Sequence, residues 1–266
     1  MRSALTKRTV FAALLSMLCI PAVIAVNIVF FDDRGYYAAG LAIIILSMLP
    51  FAFAFEGRKP QAREIVIIAV MVALTVAGRA AFFMTPQFKP VVALVIISGV
   101  ALGAESGFAV GALSGFVSNF IFGQGPWTPW QMFAFGVIGF ISGLVFRRMS
   151  ASIGNAGAAA PFVGHDESVR LGWNVRAKRK KERLRIALLC AFGFVITFVL
   201  YGLLLDTAAL TMFTSEISGN ALIATYIAGL PFNLIHAVST VVFLAFLARP
   251  MMEKLERVKK KYGLLR

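Results

Sequence analysis

The stretch GVALGAESGFAVGALSGFVSNFIFGQGPWTPWQ, running from Gly99 to Gln131, decides the fold. Glycine recurs at every fourth position: Gly99, Gly103, Gly107, Gly111 and Gly115. Residues four apart lie on nearly the same face of a helix. A face without side chains lets neighbouring backbones approach closely. Glu105-Ser106 interrupts the ladder and marks a tight turn. Gly99 and Gly103 then serve one helix, and Gly107, Gly111 and Gly115 the next. Gly136, Gly139 and Gly143 repeat the device. The stretch closes on Ser118-Asn119-Phe120 and on Gly123-Gln124-Gly125-Pro126-Trp127-Thr128-Pro129-Trp130-Gln131, a polar, aromatic loop stiffened by prolines. A packed scaffold leads into a loop suited to a small molecule.

Working outward, the 266 residues are 59% hydrophobic, with a mean hydropathy of +0.84. Apolar runs of near-membrane length recur at 9–30, 38–55, 64–84, 90–105, 107–123, 131–146, 185–205 and 223–248. They are continuous rather than alternating, which favours helices over a barrel. The expected fold is all-α, a polytopic membrane helical bundle. The runs 90–105, 107–123 and 131–146 are short for full spans. Arg2, Lys7 and Arg8 precede the first run. It is too long for a signal-peptide core, and Asp32-Asp33-Arg34 is a poor cleavage context.

The formal charge of +14 comes from 26 Lys and Arg against 12 Asp and Glu. With eight spans and an inside N-terminus, 23 of the 26 basic residues fall in 2–8, 58–63, 147–185 and 249–266. Arg34, Arg79 and Lys89 are left for the membrane or the other side. This is the positive-inside pattern, not a nucleic-acid surface. It places a multi-pass protein in the cell membrane with both termini cytoplasmic.

The chain divides into a transmembrane hairpin, 1–63, a six-helix core, 64–249, and a basic cytoplasmic tail, 250–266. The core is split by the basic cytoplasmic stretch 147–184, whose Ser150 to Gly164 part reads as linker. The tail reads as a helix continuing out of the membrane, its opposite charges paired three and four residues apart.

Several constellations bear on function. Ala69, Ala73 and Ala77 form a smooth stripe that suits internal packing or a partner helix. Arg79 lies near the outer end of the same span, where insertion of an arginine costs up to about 2.5–3.5 kcal/mol. It is expected to snorkel, to pair with Asp206 or Glu216, or to meet an anionic or amide-rich ligand. The loop Thr85 to Pro90 follows, with Phe83 and Phe88 beside it. Asn119, Gln124 and Gln131 set amides beside Trp127 and Trp130, a combination suited to a flat, amide-bearing ligand. Tyr226, Asn233 and Thr240 fall on one stripe of the last span with His236 nearby, facing the interior or a cavity. These polar residues also suit helix–helix hydrogen bonds, and His236 reads as an interior histidine rather than a metal ligand.

Cys19 and Cys190 sit in apolar runs and give neither a disulfide framework nor a metal pattern. There is no His-Glu-x-x-His, no phosphate loop and no Gly-x-Ser-x-Gly. No catalytic residues, metal or cofactor are expected, and if the protein takes part in active transport another subunit must supply the energy.

The alanine stripe, the glycine-rich helices running into Ser118-Asn119-Phe120, and the loop Gly123 to Met132 together resemble the substrate-binding S component of an energy-coupling factor (ECF) vitamin transporter. The resemblance covers 64–249. It implies a six-helix protein that captures a vitamin at its outer face and is not an enzyme. It also implies partners: a transmembrane scaffold subunit and two ATPase subunits. Ala69, Ala73 and Ala77 become the docking stripe. The loops 85–90, 124–130 and 206–222 become gates over a site drawn from Arg79, Phe83, Phe88, Asn119, Gln124, Trp127, Trp130, Gln131, Tyr226, Asn233 and His236. The hairpin 1–63 is an addition to the six-helix pattern. The tryptophan loop looks most like the cobalamin-type branch, which implies cobalamin or a related corrinoid as ligand. The alternatives are another vitamin or modified-base precursor in the same architecture, or a membrane scaffold or assembly protein without a small ligand.

Overall fold

The computed structural model describes residues 62–146, 167–213 and 218–262, with residues 15, 18–26, 29, 42, 45 and 46 of the N-terminal part. For 167–179 and 213 only the backbone is described. Most of the expected hairpin 1–63, the linker 150–164 and Glu216 lie outside the described residues.

Among the described residues the chain is helical, with no strand. The helices are α1 (Ala62–Ala81), α2 (Val91–Leu102), α3 (Ala104–Phe122), α4 (Trp127–Val145), α5 (Glu167–Val195), α6 (Gly202–Phe213) and α7 (Gly219–Tyr262). A π-helical segment, Ile196–Tyr201, joins α5 to α6 without a break. Among the described residues from Ala62 onward, the helices make six passes. Among the described residues four segments are long and apolar enough to cross a membrane: Ala62–Ala81, Trp127–Val145, Lys180–Met212 and Gly219–Tyr262.

α2 has only 12 residues, roughly 18 Å at 1.5 Å per residue. It is apolar all round, and Val91 to Ala101 are all buried. A helix without a polar face belongs inside a bundle. Here α2 sits between α4, α3 and α7, so the thin run 90–105 is a central helix.

The glycines explain how the helices fit around it. A β-carbon on Gly99 or Gly107 would strike the backbone of Gly139. One on Gly111 would meet the backbone at Phe135, and one on Gly143 the backbone of Ala104. The ladder brings α2, α3 and α4 together backbone to backbone. The turn falls at Gly103, φ 104°, two residues before the expected interruption. A left-handed φ there favours glycine, and Gly103 N–H still donates to Gly99 O at 2.9 Å.

The principal core joins α1, α2, α4, α5 and α7 through residues such as Met71, Ile96, Phe135, Leu189 and Leu244. A second cluster sets Ile20 and Ile24 against Phe108, Ala112 and Met132, so the described N-terminal residues cover α3 and α4. α7 has 44 residues and runs through Pro231 and Pro250. Its length, roughly 66 Å at 1.5 Å per residue, exceeds a hydrocarbon core of about 30 Å. The expected tail helix is present. Arg249 pairs with Glu253 at 3.0 Å and Lys259 with Glu256 at 2.9 Å. Arg249 also reaches Glu182 on α5 at 3.0 Å. The bundle thus has a basic end, and an opposite end carrying the turns 82–90 and 123–126.

Candidate functional site

A cavity of about 480 Å³ opens at the loop end. Arg79 comes from the end of α1, Gln87 and Lys89 from the following loop, and Gln131 and Phe135 from α4. Tyr201 comes from the π segment, Asp206 from α6, and Asn233 and His236 from α7.

Arg79 is 8% exposed and carries no counter-ion among the described residues. It does not pair with Asp206, as one expectation had it, because α1 packs on α3 at this level. Its Nη1 donates to Ser118 Oγ and to Asn119 Oδ1, the latter at 2.9 Å. Nη2 reaches Gln131 Oε1 at 3.5 Å, and the guanidinium lies 4.4 Å from the Phe122 ring centroid. Every partner is neutral. The charge is oriented by dipoles but not neutralised, and it faces a cavity.

α3 supplies two of those dipoles, Ser118 and Asn119, and the tryptophan turn supplies Gln131 and braces Asn119. Asn119 Nδ2 donates to Thr128 Oγ1 at 3.0 Å and to Gln131 Oε1 at 3.1 Å. Thr128 Oγ1 donates to Gln124 Oε1 at 2.9 Å, and Gln124 Nε2 to Phe116 O at 3.0 Å. Asn119 and Gln124 are therefore engaged in holding the turn and Arg79 rather than lining the cavity. The Trp127 ring folds back over Gly125. Trp130 packs in the second core cluster. Neither tryptophan lines the cavity.

Lys89 forms the rim. Its carbonyl accepts a hydrogen bond from Ser239 Oγ at 3.0 Å, and its Nζ lies 4.7 Å from the same Phe122 ring. Partial burial lowers its pKa, and the Arg79 charge lowers it further. Phe88 packs on Phe243 of α7 with centroids 5.5 Å apart, and exposed Phe83 packs on Phe122 at 5.0 Å. Both stay outside the cavity lining.

The far wall is aromatic. Phe135 stacks on Tyr201 at 5.2 Å, and Tyr201 meets His236 edge to face at 4.6 Å. The polar stripe of α7 serves mostly as helix–helix glue. Tyr226 Oη shares a hydrogen bond with Thr207 Oγ1 at 2.7 Å. Asn233 Nδ2 donates to Asp206 Oδ2 at 2.8 Å, and Thr240 Oγ1 accepts from Thr197 Oγ1 at 3.2 Å. His236 differs: it is 3% exposed, and neither ring nitrogen has a hydrogen-bond partner among the described residues. A buried imidazole with both nitrogens unmatched is costly unless a ligand or water satisfies it.

Of the residues singled out in the sequence, the cavity brings together Arg79, Gln131, Asn233 and His236. Asn119 and Gln124 stand behind them. Phe83, Phe88, Trp127, Trp130 and Tyr226 pack elsewhere. Sequence reasoning had Gln87 and Lys89 only as part of the gate 85–90, Asp206 only as a gate residue and candidate partner of Arg79, and did not select Tyr201. Asp206 had a signal: it is the lone charged residue between Arg185 and Glu216. Tyr201 had none, since its direction depends on the π segment. The described residues hold no cluster of metal-ligating side chains.

Ala69, Ala73 and Ala77 are all exposed on α1. They share that face with Val66, Val70 and Leu74, each more than 40% exposed.

Residues 59–164 match the family model described as ECF-type riboflavin transporter, S component. No curated protein and no solved structure matches the chain. The family match supports a relationship to ECF S components, which are transport subunits rather than enzymes. It takes in Arg79, Gln87, Lys89, Gln131 and Phe135 of the cavity. Tyr201, Asp206, Asn233 and His236 lie beyond it.

Proposed function

We propose that this chain is the substrate-binding S component of an ECF importer, and that its loop-end cavity captures a flavin-class vitamin at the outer face of the cell membrane. The observation that carries this reading is Arg79, a buried guanidinium held by neutral partners at the wall of a 480 Å³ cavity. A ligand edge rich in hydrogen-bond acceptors completes its coordination. The Phe135–Tyr201–His236 wall suits the face of a flat ring. The volume lies in the range of small-molecule pockets, about 300–1,000 Å³. The family match, by its printed description, points the same way.

Apart from Gln131, the tryptophan turn, which suggested a corrinoid, lies behind Arg79 rather than in the cavity, and a corrinoid is much bulkier than a flavin. The flavin is therefore the preferred ligand. The exposed alanine face of α1 is the proposed seat of the ECF scaffold, with two ATPase subunits supplying the energy. Mass spectrometry of small molecules that co-purify with the protein tests this reading. It is best followed by titration with riboflavin, cobalamin, cobinamide, thiamine, pantothenate and queuine. Riboflavin is expected to bind. Retention of cobalamin alone overturns the flavin choice and leaves the S-component reading standing. Failure of all six, with a stable complex to an unrelated enzyme, favours the assembly-protein alternative.

A further inference from the structure

The cavity has a second polar pole that neither the family match nor the tryptophan turn accounts for. Asp206 lines it from α6. Its Oδ2 accepts a hydrogen bond from Asn233 Nδ2 at 2.8 Å. It forms no ion pair among the described residues. α7 is stripped of side chain where the carboxyl passes: a β-carbon on Gly229 would lie 2.6 Å from Asp206 Cγ. Any larger residue at 229 would push the carboxyl aside.

An intramembrane acid without a paired cation is costly, and such residues mark ligand or ion pathways. A carboxylate offers about four acceptor positions, and Asn233 occupies one. Arg79 and Lys89 line the same cavity, yet they are oriented by Ser118, Asn119, Gln131 and the Phe122 ring. The cavity therefore sets two cations at one pole and one carboxylate at the other, with the aromatic wall between. The positive excess disfavours a cationic ligand arm, while neutral hydroxyl donors satisfy the carboxylate without adding charge.

We propose that Asp206, oriented by Asn233 and given room by Gly229, anchors a hydroxyl-bearing arm of the ligand whose acceptor-rich ring edge meets Arg79. This deepens the flavin reading and rests on it. It assigns ligand discrimination to α6 and α7, outside residues 59–164.

Riboflavin and lumiflavin share the ring system, and lumiflavin carries a methyl group in place of the hydroxylated arm. Both are titrated into the wild-type protein, Asp206→Asn and Asp206→Ala in detergent, with thermal unfolding as a check on folding. Wild type is expected to prefer riboflavin by about tenfold or more, the scale of a hydrogen bond to a charged group. In both variants the preference collapses toward parity because riboflavin weakens. A preference that survives in both variants overturns the proposal. So does an equal loss of both flavins, which would make Asp206 a prop for the helix pair. If wild type binds the two flavins alike, the proposal fails and the flavin reading stands. If it binds neither, the flavin reading itself fails and this proposal falls with it.

Discussion

Gln87 sits at φ 56°, a region where a β-carbon costs about 1–2 kcal/mol. The Phe88 N–H donates to Pro86 O at 2.7 Å across it, which makes Gln87 the centre of a strained γ-turn. Thr85 Oγ1 braces the turn by contacting Phe82 O and Phe88 O at 2.9 and 2.8 Å. The strained residue is also the one that lines the cavity, as strain at functional sites often does. Gln87→Gly relieves the strain and removes the amide together. Stability should change by less than about 1 kcal/mol, because the flexibility of glycine in the unfolded chain offsets the relief. Riboflavin affinity should fall about three- to tenfold, the scale of a neutral hydrogen bond. Calorimetry and thermal unfolding on one preparation check both. Asn119→Ala is a companion case. It touches no cavity surface, yet it removes the acceptor that sets Arg79 and should weaken binding by a similar factor.

At the scale of elements, the glycine ladder was legible except at Gly103, which forms the turn rather than a helix face. Its spacing announced close packing of α2, α3 and α4, and the backbone contacts of Gly99, Gly107, Gly111 and Gly139 meet that expectation. Gly139→Ala drives a methyl group into the Gly107 carbonyl, where no flexible side chain can yield. It should cost about 1–3 kcal/mol, read as a lower midpoint of unfolding. The alanine stripe was legible as a pattern but not as a location, since spacing alone does not separate burial from exposure. α1 exposes it. Ala73→Phe should leave riboflavin binding by the isolated protein intact. It should sharply reduce uptake in cells that supply the scaffold and ATPases, and transport assays beside binding assays separate the two effects. The π segment was not legible. Its six residues read as ordinary apolar helix, and the added residue per turn that turns Tyr201 toward His236 has no counterpart in hydrophobic periodicity.

At the scale of the molecule, charge distribution and hydropathy specified a membrane bundle, and the helices of the described residues follow. They also put the site at the end remote from the basic residues. The sequence made the tryptophan turn the strongest part of the site because aromatic and amide side chains clustered there within nine residues. The cavity instead draws on five separated segments, and convergence of that kind leaves no local mark. The turn's amides still matter, since they orient Arg79. Sidedness is open to direct measurement. In a background with Cys19 and Cys190 replaced by alanine, Met84→Cys should react with an impermeant thiol reagent from outside the cell. Tyr262→Cys should react only after permeabilisation. The reverse pattern would place the cavity in the cytoplasm and exclude capture from outside.

On the proposed reading, capture depends on the unneutralised guanidinium at the cavity wall. The most direct measurement is a riboflavin titration of the purified wild-type protein against Arg79→Gln, with thermal unfolding confirming that both are folded. A fall in affinity of tenfold or more in the variant is the expected result; riboflavin binding to Arg79→Gln as tightly as to wild type would contradict it.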